Sequence, residues 1–176
     1  MTRTRTTIFR PLALLAVLAA GPARTETLRI ATWNVGLDRE GPGLLVKDLA
    51  EGTEPQVAAI VHILTALDAD VILLTAVDYD RGGVAMRLLA DRLELEGVNY
   101  PHQLAFRPNT GRQTGFDVNG NGRVGDPRDA QGFGLFSGQG GMAVLSRLPL
   151  DEAGARDFSE FLWRDLPESL GDDRPE

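Results

Sequence analysis

The sequence predicts an α/β fold, because strand patterns and helix patterns alternate along the chain. Residues 28–34 follow a strand alternation, and residues 71–74 form a continuous apolar run that is typical of a buried central strand. Residues 53–67 and 84–95 place their apolar side chains at helical spacing. The order strand, helix, strand, helix is typical of layered α/β domains, which usually bind ligands where strands end.

The first strand pattern contains the first candidate site residue. Leu28, Ile30 and Thr32 fall on one face and Trp33 on the other, which predicts a strand covered on both faces. The strand is predicted to end at Asn34, and an amide at the end of a buried strand opens onto the sheet edge. The alternative is that Asn34 only starts a turn, as asparagine often does.

The first helix has a recognisable start. Thr53 is a good N-cap, and Gln56 three residues later completes a capping box around Pro55, which the first turn tolerates. The helix then presents a single apolar stripe, formed by Val57, Ile60, Val61, Leu64 and Leu67. The second helix, over residues 84–95, is stopped by Gly97.

A long loop separates two further strand patterns, a short one at residues 103–106 and another at residues 141–147. Residues 108–140 are rich in Gly, Asn and other polar residues and show little periodicity. Loops of this length in a compact domain are usually functional or disordered. We therefore place one domain over residues 28–176, with a Gly/Asn-rich insertion at residues 108–140.

The N-terminal segment has the pattern of a secretory signal peptide. Arg3, Arg5 and Arg10 precede an apolar run over residues 11–20. The run is far shorter than the ~20 apolar residues that span a bilayer. We therefore expect residues 1–23 to be a signal peptide and the product to be exported, periplasmic or secreted, without a stable membrane span.

Charge and cysteine content limit the partners and the chemistry. The chain has 176 residues and a formal net charge of −7, and removal of residues 1–23 leaves 15 basic against 25 acidic residues, a balance of −10. Such an acidic protein repels polyanions, so a small phosphoester is favoured over long nucleic acid as a partner. The lack of cysteine excludes a disulfide framework, a zinc–thiolate site and a cysteine nucleophile.

Polar side chains stand where the predicted strands end. Asn34 ends the first strand, Asp78 and Asp80 follow the second, and Ser146 ends the last. Oxygen ligands that converge at one sheet edge suit a hard cation such as Mg²⁺ or Mn²⁺, which lowers the pKa of a bound water. The alternative is that the two aspartates cap the following helix, for which Asp80 is well placed.

The insertion contains a second candidate metal site. Oxygen-bearing side chains at alternate positions, followed by a glycine, are typical of the first half of a calcium loop. The candidate ligands are Asp117, Asn119, Asn121, Asp126 and Asp129. The twelfth position is Arg128, where such a loop carries a bidentate acid. The alternative is a cluster of Asn/Gly turns.

Three motifs in order resemble a known superfamily. RIATWNVG at residues 29–36, DADVILLTAVDYD at residues 68–80 and GGMAVLSRLPL at residues 140–150 look like the endonuclease/exonuclease/phosphatase superfamily, which includes deoxyribonuclease I-like enzymes. The resemblance implies a two-sheet α/β sandwich of mixed strand direction and a Mg- or Mn-dependent phosphoester hydrolase. It covers roughly residues 28–150, which correspond to the N-terminal half of such a domain.

Under this resemblance, Asn34 matches the asparagine that helps to hold the metal and the scissile phosphate. Most members end the second strand with Gln-Glu, whose glutamate is a principal metal ligand. Those positions are Thr75 and Ala76 here. An alanine methyl cannot bind a cation, so Asp78 or Asp80 would have to replace the glutamate.

The later motifs of the superfamily have no equivalent after Pro149. They are an Asp-x-Asn pair and a terminal Ser-Asp-His, which orient the nucleophile and supply the general base. The resemblance therefore implies a truncated copy of the domain. Two hypotheses stay open. One is an exported metal-dependent phosphoester hydrolase, and the other is a non-catalytic remnant or calcium-stabilised binding module with the same fold.

Overall fold

The computed structural model describes residues 27–168, so the predicted signal peptide lies outside the described residues. In chain order the elements are β1 (Ile30–Leu37), α1 (Leu44–Glu51), α2 (Pro55–Leu67), β2 (Val71–Val77), α3 (Val84–Leu95), β3 (His102–Leu104) and β4 (Gly141–Ser146). A single 3-10 turn follows at Trp163–Asp165. The predicted α/β class is therefore confirmed. No helix within the described part is long and apolar enough to cross a membrane.

The four strands form one sheet with the order β1-β2-β4-β3. β1 runs parallel to β2, whereas β4 is antiparallel to both β2 and β3. This arrangement confirms the mixed strand direction that the resemblance implies and the central position predicted for the strand at residues 71–74. Within residues 27–168 the named strands form this one sheet, and the second sheet that the resemblance implies stays a prediction.

The core lies between the sheet and the helices. Ile72 and Leu74 of β2 and Ala143 and Leu145 of β4 are buried, because alternate residues of a strand point to the same face. The helices contribute the opposite side of this core, chiefly Leu45, Leu49, Val57, Ile60, Leu64, Leu89 and Leu93.

The prediction that both faces of the first strand are covered is wrong. Ile30 is 73% exposed, and Thr32 and Asn34 on the same face are exposed as well. The strand also continues past Asn34 to Leu37, across a register shift between these two residues, and Val35 and Leu37 are buried in the core. We call the sheet surface that faces away from the helices the open face.

The start of α2 differs from the prediction. Glu54 and not Thr53 is the N-cap of α2, and its carboxylate accepts a hydrogen bond from the Val57 amide at 2.9 Å. Gln56 donates to the Gly36 carbonyl at 2.8 Å, which ties α2 to β1. Helix α1 has no counterpart among the predicted elements, because an eight-residue helix is too short to show a clear period.

The edge of the sheet where β2 begins and β4 ends is held by a charged network. Arg147 pairs with Asp68 and, at 3.5 Å, with Asp70. Its guanidinium lies 5.7 Å from the ring centroid of Tyr100, whose hydroxyl donates to the Ala69 carbonyl at 2.8 Å. The hydrogen bond from Arg147 holds the pKa of Asp68 below its ordinary value.

Residues 105–140 connect β3 to β4 without a helix or a named strand. Two isolated bridges, Thr110 with Gly132 and Gln113 with Ala130, fold this loop back on itself. Gly111 makes the close approach possible, because it has a φ of +69° and an added Cβ would lie 1.9 Å from the Phe136 carbonyl oxygen. β3 is shorter than the predicted strand and starts one residue earlier.

Candidate functional site

Asn34 lies on the open face, beside the middle strands of the sheet. It is the register partner of Thr75 in β2, and Thr75 is in turn the partner of Met142 in β4. The three side chains therefore stand abreast on the same face. Asn34 is exposed, so its amide is available to a ligand.

A groove of about 880 Å³ runs over this part of the open face. Its floor is formed by Asn34, Leu73, Thr75, Leu104, Met142 and Val144. Its walls are residues 105–110, which follow β3, and residues 156–159 near the C-terminal end of the described chain. The volume is in the range of small-molecule sites. We call this feature the sheet groove.

Ala76 occupies an unusual backbone position beside Asn34. It has a φ of +56°, in the left-handed region, and it sits where the register of β2 shifts between Thr75 and Val77. It also lines the sheet groove. Ala76 therefore lines the groove at the position where most members of the superfamily that the sequence resembles carry glutamate. Here that position offers only a methyl group.

Asp78 holds two loops together. It is 7% exposed, and its two carboxylate oxygens accept hydrogen bonds from the backbone amides of Arg39 at 2.9 Å and Gly140 at 3.0 Å. Burial raises the pKa of Asp78, and the two amide hydrogen bonds oppose that shift. These contacts fix the loop after β1 against the residue that precedes β4.

Asp80 caps α3. Its carboxylate oxygens accept from the Val84 amide at 2.6 Å and the Ala85 amide at 2.8 Å. These are amides of the first turn, which have no partner within the helix. The geometry therefore matches the alternative in which Asp80 caps the helix that follows.

The structure does not bring the predicted strand-end residues into one site. Asp78 and Asp80 border a separate pocket of about 280 Å³, and the sheet groove is lined by Asn34 without them. Ser146 was expected at the same edge, but β4 is antiparallel to β2, so Ser146 pairs with Val71 at the opposite edge. The expected convergence of Ser146 is therefore wrong.

No group of three His, Asp or Glu side chains that could hold a metal ion is present in residues 27–168. The assignment of Asn34, Asp78 and Asp80 as metal ligands stays a prediction.

The candidate calcium loop is closed by hydrogen bonds of its own. Asp129 is fully buried and accepts from the amides of Val118 at 2.9 Å and Gly125 at 2.9 Å. Asp117 accepts from the amides of Asn121 and Gly122 at 3.0 and 2.7 Å. The remaining candidates, Asn119, Asn121 and Asp126, are linked through the two side-chain amides, which donate to Asp126. These bonds lower the pKa of Asp126.

The calcium prediction has a direct thermal test. If the loop binds Ca²⁺ with an affinity near 1 mM, about 10 mM Ca²⁺ is expected to stabilise the protein by about 1.4 kcal/mol. The melting temperature should then rise by about 3 to 5 °C and return on addition of a chelator. Asp117→Asn should abolish the rise. An unchanged melting temperature in Ca²⁺ would show that the loop is a cluster of turns.

The sequence reasoning missed the groove walls. The segment at residues 156–159 is fastened by the Asn109 side-chain amide, which donates to the Ser159 carbonyl at 3.0 Å. An ion pair between Arg112 and Glu160 at 3.0 Å holds the following residue. One feature of the sequence indicates this wall. Aromatic residues near the C-terminal end, such as Phe158, need a surface to pack against.

The comparison with protein families gives one result. The model of the endonuclease/exonuclease/phosphatase family matches residues 31–175, which include the sheet except for Ile30, the three helices and the long loop. No curated protein and no solved structure matches the chain.

Proposed function

The chain belongs to the endonuclease/exonuclease/phosphatase family, and from this membership we propose that it is an exported protein that binds phosphoesters at Asn34. We further propose that the chain by itself does not hydrolyse them. The family is one of phosphoester hydrolases that generally use divalent metals. The N-terminal pattern of three arginines and a short apolar run supports export.

The observation that carries the binding proposal is the position of Asn34 on the floor of the sheet groove. Its amide can donate to a phosphoryl oxygen, and the hydroxyl of Thr75, its register partner, is a second donor on the same floor. Arg107 and Arg156 line the same groove and add positive charge for an anion. A small phosphoester therefore finds hydrogen-bond donors and cations within one groove.

The residues at this edge do not fit a divalent metal as the structure arranges them. Ala76 has no oxygen ligand to offer beside Asn34. Neither Asp78 nor Asp80 lines the sheet groove, and the oxygens of both already accept hydrogen bonds from backbone amides. Asn34 alone is a weak basis for a Mg²⁺ site, because such sites use at least one or two carboxylates.

We therefore expect the purified protein to bind bis-p-nitrophenyl phosphate in an Asn34-dependent manner without cleaving it. In the presence of Mg²⁺, release of nitrophenol by the wild type should be no faster than by Asn34→Ala. Binding of the diester, followed by NMR titration, should weaken by about tenfold in Asn34→Ala, because a charge-assisted hydrogen bond is lost.

Ala76→Glu is the matched positive control. It places a carboxylate in the groove beside Asn34, at a position whose backbone conformation is equally unfavourable for alanine and glutamate. Mg²⁺ should stabilise Ala76→Glu against unfolding. The double variant Asn34→Ala/Ala76→Glu should lose this stabilisation. Mg²⁺-dependent cleavage by the wild type that disappears in Asn34→Ala would refute the proposed lack of hydrolysis. Diester binding that is unchanged in Asn34→Ala would refute the binding site.

A further inference from the structure

The candidate calcium loop contains both Asn-Gly pairs of the chain, Asn119-Gly120 and Asn121-Gly122. In such a pair the backbone nitrogen of the glycine can attack the side-chain carbonyl carbon of the asparagine, because glycine has no side chain that hinders the approach. Both pairs are exposed, and no atom of a non-adjacent described residue lies within 4 Å of where a Cβ would stand on either glycine. The two pairs are therefore equally accessible to water.

The backbone amide of Gly122 faces a carboxylate base. It donates to one oxygen of Asp117 at 2.7 Å, and the other oxygen of Asp117 accepts from the Asn121 amide at 3.0 Å. The carboxylate is thereby held at the distance from which it can take the proton of the Gly122 nitrogen. The Gly120 amide donates to no protein group within residues 27–168. Only the second pair therefore has a base on its attacking nitrogen.

The side chain of Asn121 is oriented as well. Its Oδ1 accepts from the Arg123 amide at 2.8 Å, and its Nδ2 donates to Asp126 at 2.5 Å. The Arg123 amide stabilises the negative charge that forms on Oδ1 when the nitrogen attacks. Asn119 has equivalent contacts, since its Oδ1 accepts from the Asn121 amide at 3.0 Å and its Nδ2 donates to Asp126 at 3.0 Å. The two asparagines therefore differ chiefly in the base.

We propose that Asn121 is a self-modification site, which cyclises onto the Gly122 nitrogen and is then opened by water to aspartate and isoaspartate. In the first step a bond forms between the Gly122 nitrogen and Cγ of Asn121, while Asp117 takes the proton from that nitrogen. The bond from Cγ to Nδ2 then breaks, and Nδ2 leaves as ammonia with the proton that Asp117 had taken. In the second step one water molecule adds across one of the two imide C–N bonds, and one of its hydrogens returns to the Gly122 nitrogen.

The conversion changes the contacts that close the loop. The side-chain amide that donates to Asp126 is replaced by a carboxylate, which cannot donate and repels Asp126. In the isoaspartate form the main chain also runs through Cγ, so the backbone of the turn is lengthened. The modified chain is therefore more acidic, and one side of the loop is released.

The test follows both asparagines in the same folded protein. The purified protein is incubated in buffer without divalent cations, and peptide mapping by mass spectrometry measures conversion at each position. Digestion in heavy-oxygen water marks any conversion that occurs during sample preparation. Asn121 is expected to convert at least about tenfold faster than Asn119, because only its partner nitrogen has a general base.

The pH profile separates a base from mere exposure. At Asn119 hydroxide has to remove the amide proton, so the rate should rise steeply with pH. At Asn121 the Asp117 carboxylate performs this step, so the rate should rise less steeply over the same pH range. In concentrated urea, where the loop contacts are lost, the two positions should convert at rates within about twofold of each other.

Asp117→Asn removes the base and should slow conversion at Asn121 by about tenfold, with the rate at Asn119 unchanged within about twofold. Asp126→Asn is the matched control, because it removes a carboxylate of the same loop that does not contact the Gly122 amide. It should keep the faster conversion of Asn121 over Asn119. Equal rates at the two positions of the folded protein would overturn the proposal. So would faster conversion of Asn121 in Asp117→Asn, since the hydrogen bonds of Asp117 would then protect Asn121.

Discussion

Replacing Leu145 with alanine is expected to lower the free energy of unfolding by about 2 to 5 kcal/mol, the largest effect of any single change considered for this chain. Leu145 is fully buried in β4, opposite Ile72 of β2, and its removal leaves a cavity that the surrounding strands and helices cannot fill. Urea denaturation followed by circular dichroism measures the change.

Met142→Ala on the same strand is the control for Leu145→Ala. Its side chain lies on the open face and is 59% exposed, so the free energy of unfolding should change by about 0.5 kcal/mol or less. A similar loss in both variants would mean that the open face is as well covered as the core, which contradicts the fold described above.

The second large effect is expected at Asp78. Asp78→Ala leaves the amides of Arg39 and Gly140 without their acceptor, which should lower the free energy of unfolding by about 2 to 3 kcal/mol. The melting temperature should fall by about 5 to 10 °C. Asp91→Ala removes the same charge from an exposed position on α3 and should have little effect. Equal melting temperatures for the two variants would contradict the role of Asp78 in joining the loops.

The stability difference between the wild type and Asp78→Ala should also depend on pH. Burial raises the pKa of Asp78, so the folded protein keeps this proton to a higher pH than the unfolded chain does. The contribution of the carboxyl group is therefore full below its unfolded pKa and declines as the pH rises through the raised pKa. The difference in free energy of unfolding should be larger at about pH 4 than at about pH 7. A difference that grows toward neutral pH would contradict the direction of the shift.

Local sequence patterns were sufficient for the regular elements with strong signals. The continuous apolar run at residues 71–74 predicted the central strand β2, and residues 84–95 have the bounds of α3. The pattern of β1 did not show that only one of its faces is covered. That property depends on what packs against the sheet, which alternation within a strand cannot show.

The candidate site was less predictable because its contacts are distant in sequence. The position of Asp78 just after a buried strand was recognised, but the amides that bind its carboxylate belong to Arg39 and Gly140, which are 39 and 62 positions away. The C-terminal wall of the sheet groove is likewise fastened by Asn109, 50 positions from Ser159. No spacing rule links residues at such separations, since the chain fold alone brings them together.

The antiparallel pairing of β3 with β4 makes residues 105–140 the turn of a β-hairpin, although a very long one. Leu104 and Val144 are already register partners, so the ends of the loop are adjacent whatever lies between them. Lengthening such a connection costs little chain entropy, about 0.6 kcal/mol for each doubling. The part of this loop that forms one wall of the groove can therefore diverge in length and sequence while the strands that form the floor keep their pairing. A change in the length of this loop therefore leaves intact the strand pairing on which the fold depends.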